Sequence, residues 1–250
     1  MESVKPQPLR VEIWSDVVCP WCYIGKRRFE KAVAASGRAD EVEVVWRSFQ
    51  LDPSAPGRED GRTPPRIADH LGAKYGVGAD GARQMMAQVD AVAAGEGLQY
   101  DQSESVVTNT VDAHRLLHAA LEHGGPALQD AVKEAFLAGY FTRRQDVGDH
   151  DTLTRLAVGA GLPEDLVREV LTSTKHRDAV LADQAQAQAF GANGVPFFVV
   201  DRRYGVSGAQ ATEVFSDVLA RAFAERAPVT ILAGAVGTDG TGEVCGPEGC

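Results

Sequence analysis

Two cysteines separated by a Pro-Trp dipeptide, Cys19-Pro20-Trp21-Cys22, constrain the fold of this chain more than any other feature. The motif follows an alternating apolar run over residues 9–14 and precedes a segment with the pattern of a helix. The first thiol then lies at a helix N-terminus, where free N–H groups and the helix dipole favour an anion. The motif therefore predicts thiol–disulfide chemistry, because the thiolate is the form that attacks a disulfide.

The order of the predicted elements fits an α/β fold. Strands are expected over residues 9–16 and 42–47, with the cysteine helix between them. Helical patterns fill residues 65–190, and an apolar hairpin at 196–206 and a final helix follow. This β-α-β, helices, β-β-α order is that of a thioredoxin fold with a large all-helical insertion. We expect a thioredoxin-like domain over 8–62 and 178–226, an inserted helical domain over 63–177, and a flexible Gly-rich tail over 227–250.

Charge and cysteine content narrow the classes of function. The net charge of −10 argues against nucleic acid and anionic membranes as partners. The first residues lack the apolar core of a signal peptide, and no run is long enough for a membrane span, so the expected location is the cytoplasm. Four cysteines in that compartment indicate catalysis or metal binding rather than structural disulfides.

Three segments together resemble a known family. They are the Cys-Pro-Trp-Cys motif after a strand, the helical insertion, and Gly-Val-Pro-Phe-Phe at residues 194–198. The chain resembles the DsbA-like thioredoxin-fold oxidoreductases, and within them the cytosolic FrnE-type branch. The resemblance covers about residues 9–225. The run Asn-Thr-Val-Asp-Ala-His-Arg at residues 109–115 is similar to a motif in the helical domain of that branch.

The resemblance implies a protein disulfide oxidoreductase or isomerase without an organic cofactor. It implies that Cys19 is the nucleophile, with Cys22 as the resolving thiol, and that the Val195–Pro196 bond is cis and faces the cysteines. We expect Cys19 to be exposed with a lowered pKa and Cys22 to be more buried. The backbone of Val195 would present itself to an extended substrate peptide, and Pro196 would keep metals off the thiols. The alternative is an ordinary trans proline at the start of a strand.

Pro20 and Trp21 should tune the pKa of the first thiol, and three further residues are weaker candidates. Asp16 could adjust that pKa or relay a proton to Cys22, although a turn residue at a strand end explains it more simply. His114 could line a substrate groove or be a core histidine. Asn109 could do the same or cap a helix.

A second cysteine pair, Cys245 and Cys250, ends the predicted tail. Held near its own domain at a local concentration on the order of millimolar, it could exchange disulfides with the first pair as a relay. The alternative is a tail whose thiols are spare or bind a metal.

Two other functions compete with disulfide exchange. One is a glutathione-dependent isomerase or transferase of the 2-hydroxychromene-2-carboxylate isomerase type, whose members look similar but use a single Ser or Cys. The intact cysteine pair argues against it. The other is a non-enzymatic zinc module using both cysteine pairs. The expected partners are protein thiols and disulfides, or a small thiol such as glutathione, and an unidentified recycling partner.

Overall fold

The computed structural model describes residues 7–57, 63–102 and 104–226. The strands are β1 (Leu9–Ser15), β2 (Val42–Ser48), β3 (Phe197–Val200) and β4 (Tyr204–Ser207). The helices are α1 (Pro20–Ala35), α2 (Ile67–Tyr75), α3 (Gly78–Gly95), α4 (Val111–Arg143), α5 (His150–Gly159), α6 (Glu164–Leu171), α7 (Arg177–Ala189) and α8 (Thr212–Ala224). Among these helices none is both long and apolar enough to cross a bilayer.

A four-stranded mixed sheet organises the molecule, with the strand order β2-β1-β3-β4. β1 and β2 run parallel, as the α1 crossover between them requires, whereas β3 is antiparallel to both β1 and β4. Six of the seven residues of β1 are buried, because helices cover both faces of the sheet at its centre. The predicted thioredoxin fold with inserted helices is confirmed.

The two faces of the sheet carry separate apolar clusters. On one face, Phe29 of α1 and Phe215 of α8 pack their rings against Phe198 of β3, with centroids 5.6 and 4.6 Å from it. On the other face, Trp14 and Phe197 pack against the end of α7. The cysteine helix α1 is thus fixed on the sheet by aromatic contacts.

The helical segment between β2 and α7 centres on α4. This helix has two halves, which meet at Gly125 (φ 71°) and Pro126. Glycine is needed at this break because its φ lies in the left-handed region. The sequence pattern that begins at Asp151 predicts a capped helix, and the cap lies two residues earlier. The Asp149 carboxylate accepts the Thr152 N–H, because its extended backbone aims the carboxylate at the first turn of α5.

The α4 helix also touches the sheet. The side-chain amide of Gln129 accepts the Trp46 N–H and donates to the Trp46 carbonyl, each at 2.9 Å, as a neighbouring strand would. The helix therefore packs on β2 as well as on α5, α6 and α7. The division at residues 63 and 177 into two domains remains a proposal.

Candidate functional site

The Cys-Pro-Trp-Cys motif lies at the carboxyl end of β1, where open α/β sheets commonly hold their active sites. Cys19 is the residue just before α1, with an extended backbone (φ −92°, ψ 114°), and Pro20 is the first helical residue. The Cys22 N–H donates to the Cys19 carbonyl at 3.0 Å, which closes the first turn. Both cysteines are unpaired thiols in this structure.

Both thiols are buried, which corrects the expectation that Cys19 is exposed. Cys19 is 4% exposed and Cys22 is 1% exposed. Groups distant in sequence cover the first thiol: the Tyr100 hydroxyl donates to the Pro20 carbonyl at 2.7 Å, and the Val195 carbonyl oxygen lies 3.6 Å from Cys19 Sγ. Trp21, in contrast, is 40% exposed beside the pair.

The Val195–Pro196 bond is cis and lies beside Cys19, as the family resemblance implied. The loop that carries it packs closely on α1 at Gly25. A Cβ at that position would lie 3.1 Å from Cγ of Pro196 and 3.4 Å from Cζ of Phe198. Glycine in a helix interior costs about 1 kcal/mol relative to alanine, and here this close approach of loop and helix accounts for it.

The two thiols do not ionise as the sequence suggested. The hydrogen bond with Cys22 and burial raise the pKa of Cys19 well above its usual value. Burial also opposes ionisation of Cys22, but the hydrogen bond from Cys19 and the ammonium of Lys133 outweigh it and lower the Cys22 pKa. In the dithiol form the lowered pKa is therefore that of Cys22, and the expectation of a lowered pKa at Cys19 is not met.

Asp16 and His114 form a buried pair beneath the motif. His114 Nε2 lies 3.3 Å from Asp16 Oδ1, and the other carboxylate oxygen accepts the Leu51 N–H at 2.8 Å. Burial lowers the pKa of His114. Burial opposes ionisation of Asp16, but the contact with His114 outweighs it and lowers the Asp16 pKa. A neutral His114 thus donates Nε2–H to an ionised Asp16, and its Nδ1 has no hydrogen-bond partner among the described residues.

Asn109 holds a loop in place. Its Oδ1 accepts the Val111 N–H at the start of α4, and its Nδ2 donates to the carbonyls of Pro53 and Ala55 at 3.1 and 3.3 Å. Asn109 therefore contacts the first residue of α4 and also helps to shape the site, because Ala55 lines the cleft in front of Cys19.

Lys133 is the residue that the sequence analysis missed. It lies on α4 with its side chain fully buried, and its Nζ donates to the Ser15 carbonyl at 3.3 Å. Burial lowers its pKa to about 8. Lysine at this position follows Val132 in an amphipathic helix and resembles a solvent-facing residue, so only the fold reveals that it lies under the cysteines.

A cleft of about 360 Å³ opens in front of Cys19, between the start of α1 and the helices α2 and α3. Trp21, Leu51, Tyr75 and Met85 line it and are each at least 39% exposed. Apolar side chains exposed in a cluster indicate a binding surface. Asp16, Cys19 and Val195 also line the cleft, whereas Cys22, His114 and Pro196 do not.

The second cysteine pair, Cys245 and Cys250, lies outside the described residues, as does the whole predicted tail. Within the described part of the chain, no group of three or more His, Cys, Asp or Glu side chains is arranged to hold a metal ion.

Known proteins resemble the chain along most of its length. A crystal structure of a probable DsbA oxidoreductase from Streptomyces coelicolor is 47% identical and superposes with a TM-score of 0.82, covering 97% of this chain and 98% of that one. An uncharacterised Bacillus subtilis protein, YwbO, is 27% identical over 218 residues, which are 84% of this chain and 96% of that protein.

More distant structures share the fold. The cytosolic disulfide reductase DsbM from Pseudomonas aeruginosa with GSH is 16% identical, with a TM-score of 0.61 over 86% of this chain and all of the other. A 2-hydroxychromene-2-carboxylate isomerase is 15% identical, with a TM-score of 0.60 over 86% of this chain and 97% of the other. The family model of the DSBA-like thioredoxin domain matches residues 10–220. With this match and the buried cysteine pair at the start of α1, the chain belongs to the DsbA-like thioredoxin-fold oxidoreductases.

Proposed function

We propose that the protein is a thiol–disulfide oxidoreductase or isomerase acting on protein thiols and disulfides in the cytoplasm. Cys19 is the nucleophile and Cys22 the resolving thiol. The observation that carries the proposal is the placement of Cys19 at the wall of an apolar cleft, with Cys22 one helical turn behind it and outside the cleft. A substrate in the cleft meets the first sulfur and not the second.

The chemistry then runs in two exchange steps. The proton of Cys19 passes along the hydrogen bond to Cys22, and the Cys19 thiolate attacks a substrate disulfide. A mixed disulfide forms while the substrate S–S bond breaks, and the leaving thiolate takes a proton from water. Cys22 then gives to water the proton that it received, and its thiolate attacks Cys19 Sγ. The Cys19–Cys22 disulfide forms while the mixed disulfide breaks, and the second substrate thiolate leaves and takes up a proton. Two electrons and two protons pass from the dithiol to the substrate, and the reverse sequence oxidises a substrate dithiol.

The cleft supports protein substrates over small anionic thiols. Its walls are largely apolar, and the basic side chains among its described lining residues are His70 and Lys74. Glutathione carries two carboxylates that need cationic or N–H partners, whereas an apolar side chain next to a substrate cysteine needs only the exposed rings and methionine. The Val195 backbone beside Cys19 would receive the extended peptide.

A small-thiol isomerase is the second candidate, and the cleft volume favours it. About 360 Å³ is enclosed, which lies in the range of pockets for small ligands. In this alternative one sulfur, Cys19, would lie against glutathione, and Cys22 would have no role. The second buried thiol in contact with the first makes this assignment weaker than disulfide exchange.

One pair of measurements separates the two functions. The reduced protein is expected to reduce insulin disulfides, consuming one protein dithiol per disulfide, and to bind glutathione only weakly, above about 1 mM. Insulin turbidity with dithiothreitol as the final reductant and calorimetric titration with glutathione test this. Micromolar glutathione binding without insulin reduction would overturn the proposal in favour of the isomerase.

The number of residues between the described fold and Cys245 is sufficient for a relay between the two cysteine pairs. Arg226 donates to the carbonyls of Gln7 and Pro8, just before β1. The cysteines follow the other end of this strand, which has seven residues and is about 23 Å long. The residues from 227 to Cys245 can span roughly 65 Å at full extension, which is ample.

Truncation after Gly237 tests the relay. If Cys245 and Cys250 pass electrons to or from the first pair, the truncated chain will be recycled by dithiothreitol several-fold more slowly in insulin reduction. Its single-turnover reaction, started from the reduced Cys19/Cys22 pair, will keep the rate of the full chain. Equal steady-state rates for the full and truncated chains would count against the relay.

A further inference from the structure

A buried lysine without a carboxylate partner lies under the cysteine pair. The Lys133 side chain is fully buried, and its Nζ lies 3.3 Å from the Ser15 carbonyl and 5.4 Å from the centre of the Trp46 ring. No Asp or Glu of the described chain lies within ion-pair distance of it. A buried ammonium is unfavourable unless an opposite charge compensates it, so this side chain calls for a counter-charge.

Lys26 is a second buried lysine near the same tryptophan, and it differs from Lys133 in having acidic partners. It approaches the same Trp46 ring, at 5.9 Å, and its side chain is 3% exposed. Three carboxylates surround it: those of Glu30, Asp130 and Glu134. Two lysines thus approach the ring of one tryptophan, and only Lys26 is neutralised by acidic side chains.

The cysteine pair supplies a counter-charge for Lys133 in addition to the ionised Asp16. Burial lowers the pKa of Lys133, and a negative charge on Cys22 is the largest influence that raises it again. Reciprocally, the Lys133 ammonium lowers the pKa of Cys22. The other charged or titratable groups that act on this ammonium are Asp16, Cys19 and Lys26, and it acts in turn on His114.

We propose that Lys133 is a positioning residue that supplies the fixed positive charge for the Cys22 thiolate. The inference rests on the proposed function. It assigns control over the reduction potential of the cysteine pair to a residue of α4 that lies 111 residues from Cys22 in sequence. The ammonium transfers no proton to either sulfur in these steps and acts through its charge on the stability of the thiolate.

The charge of Lys133 has its greatest influence on Cys22 in the second exchange step, when Cys22 attacks the mixed disulfide. In the mixed disulfide Cys19 carries no charge and donates no hydrogen bond, so Lys133 remains the main group favouring the anion of Cys22. The Cys22 thiolate attacks Cys19 Sγ, the bond from Cys19 to the substrate sulfur breaks, and the substrate thiolate leaves. Without Lys133 less of Cys22 is ionised and the mixed disulfide persists.

Lys133→Met tests the charge, with Lys26→Met as the matched buried lysine. In a Cys19→Ser background, which leaves Cys22 alone as in the mixed disulfide, thiolate absorbance near 240 nm is followed against pH. We expect Lys133→Met to raise the Cys22 pKa by at least about one unit and Lys26→Met to change it less. With both cysteines present, the equilibrium constant between the Lys133→Met variant and glutathione should shift toward the protein disulfide. We expect a shift of about tenfold for each unit by which the Cys22 pKa rises.

Stability distinguishes this role from a structural one. Lys133→Met removes a buried charge that has no carboxylate in direct contact, so its midpoint of thermal unfolding should fall less than that of Lys26→Met, which strands three carboxylates. Folded Lys133→Met protein with an unchanged Cys22 titration would overturn the inference. If the unaltered chain does not reduce insulin, that result contradicts the proposed function and leaves the effect of Lys133 on the Cys22 pKa to be measured as above.

A measurement on the unaltered chain decides the matter even if the variants do not fold. The ¹³Cε resonance of Lys133 reports its pKa in the dithiol and disulfide forms. We expect a lower pKa in the disulfide form, because oxidation removes the Cys22 thiolate. The same pKa in both forms would overturn the inference.

Discussion

Replacing Cys19 by serine is expected to lower the rate of insulin-disulfide reduction by at least about 10³-fold. A serine hydroxyl is not ionised near neutral pH and cannot form a mixed disulfide. Cys22 cannot take over, because it lies outside the substrate cleft and is 1% exposed. The rate is measured as insulin turbidity with dithiothreitol as the final reductant, after subtraction of the rate without protein.

Cys22→Ser is the matched variant, because it should stop the reaction one step later. It keeps the attacking sulfur, so a disulfide-containing peptide should be trapped on Cys19 in a covalent adduct visible by mass spectrometry. The assignment fails if Cys19→Ser retains more than a tenth of the activity, or if the peptide is trapped on Cys22 of the Cys19→Ser variant and not on Cys19 of the Cys22→Ser variant.

Asp183→Ala is expected to lower the free energy of unfolding by about 3–5 kcal/mol. The carboxylate on α7 is buried and accepts the Ser48 N–H at 2.8 Å and Arg47 Nη1 at 3.2 Å. His118 Nε2 on α4 lies 3.0 Å from it. Alanine leaves the Ser48 N–H without its acceptor and takes one partner each from Arg47, which keeps Glu12, and from His118, which keeps the Ser48 hydroxyl. β2, α4 and α7 meet at this point, and the loss is measured by urea unfolding.

Asp178→Ala on the same helix is the control. Asp178 is exposed in the first turn of α7, where a carboxylate interacts favourably with the helix dipole, so its removal should cost less than about 1 kcal/mol. Asp183→Asn, which keeps an acceptor oxygen but no charge, should fall between the two alanine variants. Equal losses for Asp183→Ala and Asp178→Ala would contradict the account of the buried contact.

Local sequence patterns were sufficient for the fold. The apolar alternation before Cys19, the β-branched run of β2 and the hairpin of β3 and β4 are all read from neighbouring residues, and each strand lies within two residues of its prediction. The break in α4 is also local, since Gly125 and Pro126 interrupt an apolar stripe. Asp149 was missed as a cap because Asp151, two residues on, offers the same side chain.

The burial of the polar residues beneath the cysteines could not be predicted from local sequence patterns. Lys133 and Asp183 are polar residues of amphipathic helices, and helical periodicity places such residues toward solvent. They are buried because α4 and α7 both pack on β2. The burial of Cys19 has the same origin, since Tyr100 and Val195 reach it from distant parts of the chain. Asp16, His114 and Asn109 were recognised as candidates, but only the fold shows their partners.

The side-chain amide of Gln129 has a consequence for self-association. A sheet edge with free N–H and C=O groups is a template for any extended chain, and a protein proposed to handle extended substrates meets such chains continually. Gln129 occupies the N–H and C=O of Trp46 on the outer strand β2, and the opposite outer strand β4 is only four residues long. The sheet therefore offers little edge on which a substrate could nucleate aggregation, and extended peptides are left to the cleft in front of Cys19.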